Sequence, residues 1–141
     1  MQERTIEKRI AYKNILLNSM INENIDYDEI EEFQRIAERL MSYHIFILDK
    51  LIIASYQNIN YGSERRSKQI TISLRLVLLK IILDWDDEKL IDSLARLEDE
   101  RLIKDFTKDY KKIIPNKFYI LKERITEKGV RFHQFITDPN S

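Results

Sequence analysis

Only two glycines and two prolines punctuate these 141 residues. That scarcity constrains the fold more than any other feature. With so few residues that open the left-handed region or remove a backbone donor, breaks are rare and long helices become the default. The spacing predicts a first helix over 3–20, with Ile6, Ile10 and Leu17 near one face and Ile15 and Leu16 widening it, ended by Asn22-Glu23-Asn24. Asp26 is placed to cap a second helix running to Leu40, where Ile30, Phe33, Ala37 and Leu40 recur at the 3-4-3 spacing of a narrow apolar seam. Ser42 is the expected cap of a third helix to about Ser55. Its run Ile45-Phe46-Ile47-Leu48 and Leu51-Ile52-Ile53 demands cover on most sides and makes it the central helix. The polar stretch 57–67 reads as a loop and ends on the basic cluster Arg65, Arg66 and Lys68.

From Ile70 to Leu83 the positions Leu74, Val77, Leu78 and Ile81 suggest an amphipathic helix, stopped at Asp84-Trp85-Asp86. Asp86 then caps a helix reaching Leu102, with Asp87 and Glu88 set against its dipole. On it Leu90, Leu94, Leu97 and Arg101 trace an inward side, while Lys89, Asp92, Ser93, Arg96 and Asp99 trace an outward one. Beyond it Phe106, Lys108, Tyr110, Lys112 and Ile114 alternate like a strand, Pro115-Asn116 mark a turn, and Phe118-Tyr119-Ile120-Leu121 supply the return strand. A closing helix starts at Thr126-Glu127-Lys128-Gly129.

Helix, helix, ribbon, helix is the order of a winged helix-turn-helix. The expected fold is therefore mainly α with a small β-ribbon: an N-terminal helical extension over 1–41, a winged-helix-like domain over 42–137, and a tail over 138–141. The extension's seam, Ile6, Ile10, Leu17, Ile30, Phe33, Ala37 and Leu40, is more apolar surface than one small domain covers, which predicts a homodimer packed through it.

A resemblance points the same way. Ala11-Tyr12-Lys13-Asn14, Leu17-Asn18, Phe33, Ile36, Leu40, His44-Ile45 and Leu48, followed by Thr126, Gly129, Phe132 and Phe135 in a Thr-x-x-Gly-x-x-Phe-x-x-Phe pattern, resemble a family of uncharacterised bacterial proteins. Those proteins join a helical lead-in to a C-terminal winged-helix-like domain. The likeness spans about Arg9 to Ile136 and departs where the family carries a Thr-Pro step and this chain has Met41-Ser42-Tyr43. It implies a fold and carries no activity with it.

Composition narrows the chemistry. Charge is high but balanced, 24 Lys and Arg against 24 Asp and Glu, so no global field draws the protein to nucleic acid or an acidic membrane. The absence of cysteine removes disulfides, thiolate nucleophiles and thiolate zinc sites, and fits a reducing cytoplasm. The mixed-charge start Met1-Gln2-Glu3-Arg4 is unlike a secretory signal, and the apolar runs 45–54 and 70–83 are shorter than the ~20 residues of a membrane span. His44 and His133 lack a second ligand at metal spacing, so structural roles are expected of both. Asp84 to Glu88 read as helix capping and Glu31-Glu32 as a solvated face, and Gly62 and Gly129 stand apart from any phosphate-cradling loop.

The sequence thus predicts neither enzyme, metal, cofactor nor small-molecule substrate. Two binding readings remain. One is DNA binding, with the 86–102 helix in the major groove and a wing of Lys108, Lys111, Lys112, Lys117, Lys122 and Arg124 on phosphate. The other is protein contact, with another protein or a second copy. The crowd of acids at Asp84, Asp86, Asp87, Glu88 and Asp92 opposes approach to phosphate and tilts the balance to protein contact.

Overall fold

A computed structural model describes residues 2–21, 26–61, 72–113 and 121–139, with the side chains of 2–7, 57–61, 73, 74 and 112 outside the description. The described elements are α1 (Gln2–Ile21), α2 (Tyr27–Arg39), α3 (Ser42–Tyr61), α4 (Ile72–Leu83), α5 (Asp87–Asp99), a short α6 (Tyr110–Ile113), a 3-10 turn (Leu121–Arg124) and α7 (Glu127–Ile136). α3 is the hub, touching α1, α4, α5, the 3-10 turn and α7. It buries Ile47, Leu48, Leu51 and Ile52 completely, as its nearly unbroken apolar run requires.

Local chemistry sets the helix ends. The Asp26 carboxylate accepts the Asp28 N–H at 2.9 Å to start α2, and the acids Asp28 and Glu29 of its first turn sit against the positive helix end. At α3 the expected Ser42 is displaced as the cap. Met41 is the last residue outside the helix: its carbonyl accepts the Ile45 N–H, and its own N–H donates to His44 Nδ1 at 2.9 Å. This is half of a capping box with histidine in the acceptor's place. α4 and α5 end alike. After Leu83, Asp84 takes φ 55° and the Trp85 N–H reaches back to the Lys80 carbonyl; after Glu100, Arg101 takes φ 62° and the Leu102 N–H reaches the Leu97 carbonyl. Both are left-handed reversals closed by backbone bonds, built without glycine.

The described residues form no β-ribbon. Among the described residues, strand pairing shrinks to one antiparallel bridge, Ile103 to Ile125. The cause lies on α5, where the Glu98 carboxylate accepts the backbone N–H groups of Phe106 at 2.7 Å and Thr107 at 3.2 Å, together with the Thr107 hydroxyl. Two consecutive amides aimed at one side chain cannot alternate across a ladder, so the chain turns. Phe106, Tyr110 and Ile113 are buried at helical rather than strand spacing. Arg101, expected inward, is exposed on the reversal after α5. The turn expected at Pro115-Asn116 lies outside the described residues.

The dimer seam is likewise filled from within. Ile30, Phe33, Ala37 and Leu40 are buried inside the chain, where α1 packs along α2 and α7 returns onto Phe33. Phe33 meets Phe132 and Phe135 edge-on, with centroids 5.5 and 5.1 Å away. On α1, Ile10 remains exposed, Leu17 is half-buried, and the Ile6 side chain lies outside the description.

α7 is held at both ends. Asn14 and Asn18 of α1 donate to the carbonyls of Ile136 at 2.8 Å and Phe135 at 3.0 Å, satisfying acceptors that a helix C-terminus leaves open. At the other end the Thr126 hydroxyl accepts the Gly129 N–H at 2.9 Å and donates to the Arg101 carbonyl at 2.6 Å, while the Thr126 N–H donates to Leu102. Gly129 thereby lies so close that an added Cβ would sit 2.0 Å from the Leu102 carbonyl oxygen. The obstacle is backbone and cannot swing aside. Gly129→Ala should cost about 3 kcal/mol despite alanine's better helix propensity, lowering the melting temperature by roughly 10 °C. An unchanged or raised melting temperature would refute this junction.

Candidate interaction surface

α4 reads Ile-Ser-Leu-Arg-Leu-Val-Leu-Leu-Lys-Ile-Ile-Leu and is apolar on nearly every side. Such a helix is ordinarily covered all round. Here Ile72, Leu76, Leu79 and Leu83 are buried against the rest of the chain. On the opposite side Val77, Ile81 and Ile82 are 37%, 69% and 59% exposed, with Leu78 half-buried beside them. The pairs Val77/Ile81 and Leu78/Ile82 make two adjoining i, i+4 steps of one stripe. Lys80 is folded away onto Asp87, and Arg75 carries an Nε shielded from solvent with no acceptor among the described residues.

The surroundings fix this helix in place. Trp85, in the turn after α4, meets Tyr43 of α3 edge-on at 5.3 Å and lies under the Lys89 ammonium at 5.0 Å. Asp87 pairs with Lys80 and accepts a hydrogen bond from the Tyr110 hydroxyl at 2.9 Å, and these bonds, that of Lys80 first, hold its carboxyl below the usual carboxylate range. Burial, and then that bond, push the Tyr110 phenol well above its usual value.

The phase of α4 departs from the sequence reading. Val77 and Ile81 were expected inside and are outside, because a helix apolar all round gives its periodicity no preferred direction. The missed signal was the absence of a polar face. Among the described residues nothing covers the side of α4 that carries Val77, Ile81 and Ile82.

Of the residues expected to read DNA, Lys89, Asp92, Arg96 and Asp99 are exposed along α5, with Lys89 over Trp85, while Ser93 is buried with its hydroxyl on the Lys89 carbonyl at 3.0 Å. Of the expected wing, Lys108, Lys111 and Lys122 are exposed, while the Arg124 side chain is only 15% exposed and bonds the Asp105 carbonyl and the Asp109 carboxylate. The Lys112 side chain, Lys117 and the cluster Arg65, Arg66 and Lys68 lie outside the described residues. Asp105, Asp109 and Glu123 stand among the lysines that are described, so the positive charge is interrupted.

Ion pairs elsewhere tie elements together. Arg39 grips Glu100 through two bonds of 2.7 Å, Arg131 pairs with Glu29, and Lys128 with Glu32. The bonds from Arg39 hold the Glu100 carboxyl below its usual range. His133 Nε2 lies 2.8 Å from Asp49 at the join of α7 and α3. A cleft of about 390 Å³ opens nearby, lined by Tyr56, Ile125, Val130, Arg131 and Gln134, with Ser55 at its edge. The Ser55 hydroxyl donates to the Ile52 carbonyl at 2.7 Å. Among the described residues no three His, Asp or Glu side chains gather closely enough to hold a metal, and no helix is long and apolar enough to cross a membrane.

No family model, curated protein or solved structure matches the chain. The resemblance carried by Thr126, Gly129, Phe132 and Phe135 therefore rests on the sequence alone.

His44 gives this framework a pH dependence. Burial first, and then the positive charge of Arg96, hold its imidazole pKa down to about 4. The unfolded chain, with an ordinary value near 6.5, binds the proton that the folded chain refuses. Stability from this group is complete above about pH 6.5 and is lost as pH falls toward 4, by at most about 1.4 kcal/mol per pH unit. His44→Gln, which keeps an acceptor for Met41, should flatten the melting temperature between those pH values. An equally steep profile in the variant would assign the dependence to other groups.

Proposed function

We propose that this protein is a non-catalytic protein-interaction module whose docking element is the outer face of α4. The observation that supports the reading is the mismatch on that helix: it is apolar all round, and among the described residues it is covered on one side only. Covering what remains exposed of Val77, Ile81 and Ile82 would gain a fraction of the about 1.5–3 kcal/mol that full burial of each such side chain contributes. A helix whose inner side is locked at Leu76 and Leu79 presents the stripe without rearranging. Phosphate contact is a weaker reading, because Arg124 is engaged with Asp105 and Asp109 and acids stand among the exposed lysines. A cytoplasmic setting fits a chain without cysteine.

The double variant Ile81→Glu/Ile82→Glu tests this. It should fold with a melting temperature within roughly 2 °C of the parent, as surface changes do, and lose binding of an apolar fluorophore that reports exposed hydrophobic surface. Collapse of the fold would mean that the face is covered within its own chain. Tight duplex DNA binding by the parent at physiological salt would instead favour the nucleic-acid reading.

A further inference from the structure

Resting on the reading of α4 as a docking element, we infer that its occupant is α4 of a second copy, packed antiparallel about a two-fold axis near the middle of the helix. Among the described side chains, the apolar positions 77, 78, 81 and 82 are centred between Leu79 and Lys80, so a two-fold axis there lays the stripe of one copy along that of the other.

Charge selects the direction. Arg75 lies toward the N-terminal end, while the C-terminal end runs into exposed Asp84 and, on the first turn of α5, exposed Glu88. An antiparallel pair brings the basic end of each copy toward the acidic end of the other and opposes the two helix dipoles. A parallel pair would set acid against acid. The balance of 24 positive and 24 negative side chains leaves no net repulsion between copies. A twelve-residue helix is about 18 Å long, so the interface falls at the small end of the specific range and micromolar dissociation is expected.

Sedimentation equilibrium of the full chain from about 1 to about 200 μM should show a monomer–dimer transition, abolished by Ile81→Glu/Ile82→Glu. Arg75→Glu alone, and Asp84→Lys/Glu88→Lys alone, should each weaken dimerisation at least about tenfold, since each sets like charges together at both ends. Mixing the two variants should restore a heterodimer within about threefold of the parent, because both ends then carry opposite charges again. Should Asp84→Lys fail to fold at its left-handed position, Glu88→Lys alone serves in the mixture. A parent that stays monomeric at the top concentration would overturn self-association. If the Ile81→Glu/Ile82→Glu protein is then still folded and has lost the fluorophore, α4 remains a docking element for another protein; if it has unfolded, both readings fall. Dimerisation indifferent to Arg75→Glu, or no recovery on mixing, would overturn the antiparallel arrangement.

Discussion

The position of the last helix depends on how closely Gly129 approaches the Leu102 carbonyl. A hydrogen atom in place of a methyl group lets the first turn of α7 lie against the reversal after α5, where Thr126 bonds both Arg101 and Leu102. From there α7 projects Phe132 and Phe135 onto Phe33, and its far end meets Asn14 and Asn18. One short helix thus links the first quarter of the chain to the last. The ion pairs of Arg131 with Glu29 and Lys128 with Glu32 follow from this placement, and being partly exposed they add little by themselves.

Among the described residues, this closure leaves apolar side chains exposed on α1 as well as on α4. α1 packs on both α2 and α7 while keeping Ile10, Leu16, Met20 and Ile21 exposed, and α3 is enclosed by most of the molecule. α4 is held from one side, by Leu76, Leu79 and Leu83, with Trp85 pinned to Tyr43 at its end. A sequence that solvated its outer side would carry lysine or glutamate at 77, 81 and 82, and this one carries valine and isoleucine. That choice is the link between sequence and proposed function.

Legibility in the sequence followed the source of each signal. Local signals read correctly: Asp26 and Asp86 cap their helices, Thr126 opens α7, and Ile30, Phe33 and Ala37 share a buried face. Signals that depend on a distant acceptor did not. Phe106 to Lys112 alternate like a strand, but Glu98 captures the first amides and turns them, a contact that no spacing announces. The seam on α2 reads as a dimer surface because its cover is assembled from α1 and, at Phe33, from α7 about a hundred residues away in sequence. The outward stripe of α4 was hidden for a different reason: uniform apolarity carries amplitude without phase, so Val77 and Ile81 read equally well as core.

Accessibility of the α4 stripe tests the account most directly. The chain has no cysteine, so Ile81→Cys introduces a single reporter thiol, with Leu79→Cys as its counterpart on the covered side. At protein concentrations well below micromolar, the thiol at position 81 should react within about threefold of a free thiol and the one at 79 slower by at least about a hundredfold. Slow reaction at position 81 under those conditions, matching that at 79, would show the stripe buried within its own chain and contradict the account.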